Sequence, residues 1–78
     1  MTVLTRSDID LEEGDVVTVT STSGTEVTGI IANVYSTEAS DSYTLQTEDG
    51  NEKRITVTET DSVLVTNKYE YITDITHQ

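Results

Sequence analysis

Valine and threonine alternate through Val16-Val17-Thr18-Val19-Thr20, which places Val17 and Val19 on one face and Thr18 and Thr20 on the other. This period of two marks a half-buried strand, and Gly14-Asp15 just before it supplies a turn. Ser21-Thr22-Ser23-Gly24-Thr25 is a loop of turn formers. The next strand is expected over Glu26–Tyr35, and its pattern changes phase. Val27 falls on odd positions, whereas Ile30, Ala32 and Val34 fall on even ones, with Gly29 between. One extra residue in a strand moves all later side chains to the opposite face, so a bulge or sharp bend is expected at Gly29. On that reading Ile31 and Tyr35 point outward.

Ser36–Asp41 is a second polar loop. Tyr43, Leu45 and Thr47 then alternate with Ser42, Thr44 and Gln46. Asp49-Gly50 predicts a tight type I′ hairpin, in which both central residues need φ > 0. The return strand sets Lys53, Ile55 and Val57 against Arg54, Thr56 and Thr58. After the polar break Glu59–Ser62, Val63-Leu64-Val65 reads as a short strand covered on both faces. Asn67-Lys68 turns into Tyr69–Thr76, which is too β-branched and aromatic for a helix and is expected to be a sixth strand. Alternation puts Tyr69, Tyr71 and Ile75 on one face. The short connection keeps this strand beside Val63–Val65, so docking within the same chain is expected. Residues 1–13 are expected to be a turn or short helix, because Ser7 suits an N-cap and Asp8 and Asp10 a first turn.

These features describe a single domain over residues 1–78: an all-β, small five-stranded barrel with a bent second strand and an extra C-terminal strand over residues 67–78. Gly14-Asp15 with Val17 and Val19, Gly29, Asp49-Gly50 and Val63–Val65 together resemble SH3-like and Sm-like small barrels. The resemblance implies the fold. The Sm family's RNA-contacting pattern, an Asp three residues before an Asn in one loop and a later Arg-Gly pair, is absent: Arg54 is followed by Ile55.

Charge changes the picture more than any motif. The 78 residues carry 15 Asp+Glu against 4 Lys+Arg, a formal net charge of −11, and 16 of them are threonine. Such a chain repels itself, and the repulsion opposes compaction. The Debye length shrinks from about 10 Å at 0.1 M salt to roughly 3 Å at 1 M. The acidic, lysine-poor composition resembles that of haloarchaeal proteins and implies a high-salt cytoplasm. Without cysteine, disulfides, thiol catalysis and Cys-ligated zinc are excluded. No apolar run approaches the roughly 20 residues of a membrane span, and Met1–Arg6 is too short and polar for a secretory signal.

The candidate chemistry is that of binding. Catalysis is not expected, since the one histidine, His77, is the penultimate residue. Asp8–Asp15 differs from a calcium loop, with Glu13 where the sixth-position glycine belongs and Val19 where the closing glutamate belongs. Only loosely bound cations are expected there, and no cofactor. The leading expectation is a module that recognises a protein partner or itself through Ile31 and Tyr35, because exposed apolar patches with polar rims mark interaction sites. The alternative is a nucleic-acid-binding barrel using Lys53, Arg54, Tyr69 and Tyr71, disfavoured by net charge because phosphate affinity comes chiefly from Lys and Arg.

Overall fold

Residues 2–78 are described by a computed structural model; Met1, the first residue of the N-terminal segment, lies outside it. Six strands form: β1 (Val16–Ser21), β2 (Glu26–Ser36), β3 (Ser40–Thr47), β4 (Glu52–Thr58), β5 (Ser62–Val65) and β6 (Tyr69–His77). Each pairs antiparallel with the next, and β6 pairs with β1 as well as β5, so the sheet closes into a barrel. The C-terminal segment is thus a full member of the barrel within one chain. Strand β2 serves two neighbours, pairing through Glu26–Ile30 with β1 and through Gly29–Ser36 with β3.

The bend in β2 is real, but its position differs from the one the sequence suggested. Gly29 and Ile31 are both buried and Ile30 is exposed, so the inward phase runs unbroken through Gly29. The extra residue is Ala32: Ile31 pairs with Leu45 and Asn33 with Thr44, leaving Ala32 unpaired. Ile31, expected to face outward, is 1% exposed and belongs to the core. A second bulge sits at Thr73, because Thr20 pairs with Asp74 and Ser21 with Ile72. It separates the faces of Tyr71 and Ile75: Tyr71 is exposed, whereas Ile75 packs against the core. Each bulge adds local twist and bend, which a sheet of few strands needs in order to close.

Gly29 answers a different need. A Cβ built there would collide with the main-chain carbonyl oxygen of Gln46, and would lie 2.9 Å from that carbonyl carbon and 3.2 Å from Leu45 Cγ. Glycine lets β2 and β3 approach closely while β2 turns from one neighbour to the other. The hairpin glycines are required for backbone sign instead. Gly24 (φ 88°) and Gly50 (φ 84°) each end a three-residue loop, with Gly24 N–H donating to Ser21 O at 3.0 Å and Gly50 N–H to Thr47 O at 3.1 Å. Asp49 keeps negative φ, so the Asp49-Gly50 loop is a type I turn followed by one left-handed glycine, not type I′.

No helix forms among the described residues. The Asp8 side chain accepts the Thr5 N–H at 2.9 Å, closing a local turn in place of capping a helix. The following segment is extended, with Ile9 and Leu11 both buried two residues apart. It crosses the barrel end where β2 and β4 finish and β3 and β5 begin. Leu4 N–H donates to Ile72 O and Arg6 N–H to Thr58 O, each at 2.9 Å. The Arg6 guanidinium meets both Asp41 oxygens at 3.1 Å and the carbonyls of Thr37 and Glu38 at 2.8 and 2.9 Å. At the opposite end Glu70, 8% exposed, accepts the hydroxyls of Ser21 and Ser23. The core between them is Val17, Val19, Ile31, Tyr43, Leu45, Ile55, Val57, Leu64 and Ile72 with Ile9 and Leu11.

The two kinds of glycine should respond differently to substitution. Gly29→Ala forces a methyl group into a main-chain carbonyl and should cost about 3 kcal/mol, the upper range for overpacking. Gly24→Ala meets open space and carries only left-handed strain, about 1 kcal/mol. Denaturant unfolding of both variants in molar KCl checks this; equal, small losses would mean that β2 and β3 are not in close approach.

Candidate functional site

Alternation along three neighbouring strands decides which side chains reach solvent. In β4, Ile55 and Val57 fill the core and Arg54 and Thr56 face out. In β5, Leu64 is buried, while Val63 and Val65 stay half-buried on the outer side. In β6, Glu70 and Ile72 point in, and Tyr69 and Tyr71 point out. The strand register then aligns these residues across the sheet. Thr44, Arg54, Val65 and Tyr69 form one row, and Ser42, Thr56, Val63 and Tyr71 form the next.

A shallow depression of about 500 Å³ lies over the first row, bounded by Arg54 and Lys53 on one side and Tyr69 on the other, with Val65 and Thr56 in its floor. A second depression, of about 250 Å³, is lined by Val63, Tyr69, Glu70 and Tyr71. Lys53 belongs to the inward phase of β4, but it lies at the barrel mouth beyond Ile55 and so reaches the same surface. Tyr69 is 80% exposed and Tyr71 50%. Arg54, Tyr69 and Tyr71 therefore share the outer face of β4–β5–β6, with Lys53 at the rim of the larger depression and Tyr71 in the adjoining one.

The four cations are partnered unequally. Of the four Lys and Arg, Arg6 is committed to Asp41. Lys53, Arg54 and Lys68 make no ion pair within 4.0 Å among the described residues, although the chain carries 15 acidic residues. Glu52 is the single acidic side chain on the larger depression. Unpaired cations beside exposed aromatic rings can hold an anion and stack a planar group.

The other expected pair does not share a surface. Tyr35 is 69% exposed on the outer face of β2, opposite Ser42, while Ile31 is inside the barrel. The phase argument also missed an exposed apolar contact, since Val16 and Ile30 pair across β1 and β2 on the outside. His77 is held in β6 opposite Val17 and lies 4.0 Å from Asp15, so it is an ordered strand residue and not a frayed end. Among the described residues no group of three or more His, Asp or Glu side chains is placed to hold a metal ion. The carboxyl of Asp49, in the β3–β4 loop, is held below its ordinary value, first by the Thr47 hydroxyl and then by the Asn51 N–H and side-chain amide.

Comparison with protein families, with characterised proteins and with solved structures yields no match to this chain.

One tyrosine is set apart from the three on the surface. Burial first, then the negative charges of Asp41 and Asp10, push the Tyr43 phenol above its ordinary value of 10, against a smaller opposing effect of Arg6. The folded state resists losing that proton and the unfolded chain does not. Tyr43 therefore contributes stability that is full below pH 10 and declines as pH rises from there through the folded value. Ultraviolet titration of tyrosinate should show a late component that Tyr43→Phe removes; its persistence in that variant would contradict the assignment.

Proposed function

We propose that this protein is a non-catalytic, salt-adapted binding module that recognises nucleic acid through the outer face of β4–β5–β6. The observation that carries the reading is the placement of Lys53, Arg54 and Tyr69 around one depression and of Tyr71 in the adjoining one, with neither cation in an ion pair among the described residues. Aromatic side chains on a sheet stack bases without regard to charge, at about 1–3 kcal/mol per base, and neighbouring cations receive phosphates. The −11 charge opposes an anionic ligand at low ionic strength. In molar salt that repulsion is screened over roughly 3 Å, and stacking supplies most of the affinity.

A protein partner or a second copy is the other reading. It is favoured by exposed Tyr35 and the exposed Val16–Ile30 pair. It ranks second because Ile31 is in the core and because a closed barrel offers no edge for strand addition. Kinship with SH3-like or Sm-like barrels is part of the proposal, supported by the bent β2 and the brief β5. A haloarchaeal-type, high-salt cytoplasm is the proposed setting, supported by composition.

Two measurements test this. Melting followed by circular dichroism should shift to lower temperature as KCl is reduced from about 1 M toward 0.1 M, because the Debye length then approaches the spacing of surface charges. An unchanged transition contradicts salt adaptation. Light scattering in molar KCl with and without oligouridylate should show a monomer that gains the mass of the strand. A dimer indifferent to the strand supports the protein reading instead.

A further inference from the structure

Tyr69 and Tyr71 stand two residues apart on the outer face of β6. At about 3.4 Å per residue their rings are rooted about 6.8 Å apart. Neighbouring bases in one strand of a duplex are stacked at about 3.4 Å, half that spacing. Two adjacent bases can therefore meet both rings only when they are unstacked and the backbone between them is extended.

We infer that the site takes single-stranded nucleic acid as a dinucleotide step, with successive bases on Tyr69 and Tyr71 and the phosphate between them turned toward Arg54. The inference rests on the nucleic-acid reading above. Both rings are open to solvent and each is flanked across the sheet by a valine, Val65 beside Tyr69 and Val63 beside Tyr71. A base lying on either tyrosine thus also covers half-buried apolar surface. Arg54 is the next outward residue beyond Val65, two strands and roughly 10 Å from the β6 backbone, and has no carboxylate partner among the described residues. Lys68 immediately precedes Tyr69 and is exposed, which adds a third cation near the start of β6.

Charge points the same way. A duplex carries one negative charge per about 1.7 Å of axis, whereas a single strand presents half that density. A protein with net charge −11 is repelled less by the single strand.

The test is titration of the whole chain in molar KCl with uridine mononucleotide, di- and trinucleotides and a blunt DNA duplex, read from tyrosine resonances. The dinucleotide should bind about tenfold tighter than the mononucleotide, the effect of one added stacking contact. Tyr69→Ala and Tyr71→Ala should each abolish that step, and Arg54→Ala should weaken the dinucleotide and trinucleotide alike. All three side chains are exposed, so cooperative melting of each variant serves as the control for folding. Duplex binding as tight as single-strand binding, or no step at the dinucleotide while longer strands bind through this face, overturns the dinucleotide inference and leaves the nucleic-acid reading standing. No binding of any strand, or binding unchanged in all three variants, overturns both.

Discussion

A sheet with a free edge leaves a row of backbone N–H and C=O groups without partners, ready to pair with another chain. In this protein β6 removes both edges by hydrogen-bonding to β5 on one side and β1 on the other. The rest of the structure follows from that closure. A 78-residue chain buries only about 60% of its unfolded surface, and here only 33% of the residues are hydrophobic. With so little apolar area, the backbone cannot leave many groups unsatisfied. Closure also fixes the geometry of the outer face, since Tyr69 and Tyr71 project where they do because Glu70 and Ile72 are drawn inward.

Closing so few strands requires sharp bends, and the two bulges at Ala32 and Thr73 supply them. The Thr73 hydroxyl donates to the carbonyls of Thr20 and Ser21 at 3.3 and 3.5 Å, tying the bulged residue back to β1. The N-terminal segment then covers one barrel end, and Arg6 locks it to Asp41 and to the β2–β3 loop. Buried charge is tolerated there because the guanidinium is matched by a carboxylate and two carbonyls. The remaining cations are left on the surface, which is why one face of an acidic protein offers both positive charge and aromatic rings.

Much of the architecture is legible in the residue pattern. Alternation marks β1 to β4, a short apolar run marks β5 and β-branched and aromatic content marks β6, and Val17, Val19, Leu45, Ile55 and Val57 are core residues as their positions imply. The misassigned faces in β2 and β6 share one cause. A phase change shows that a bulge exists somewhere in a strand but not at which residue, and β2 offers two consecutive isoleucines. Gly29 drew the assignment because glycine is common at bulges; its actual role, close approach to Gln46, depends on a neighbour distant in sequence. The shift of three residues to Ala32 reversed Ile30 and Ile31, and with them half of the expected protein interface. Thr73 was invisible for the same reason. By contrast, Arg54, Tyr69 and Tyr71 share the outward phase of adjacent strands with no bulge between them, so alternation is enough to bring them to one face, while Lys53, in the inward phase, reaches it only because it lies at the barrel mouth.

The architecture rests on β6 completing the barrel of its own chain. Amide hydrogen exchange of the dilute monomer in molar salt measures this directly. Backbone amides bonded within β6, between Tyr69 and Ile75, should exchange as slowly as those of Val17 and Val19. Rapid exchange in β6 while β1 stays protected would show an open barrel with a strand free to leave, and would contradict it.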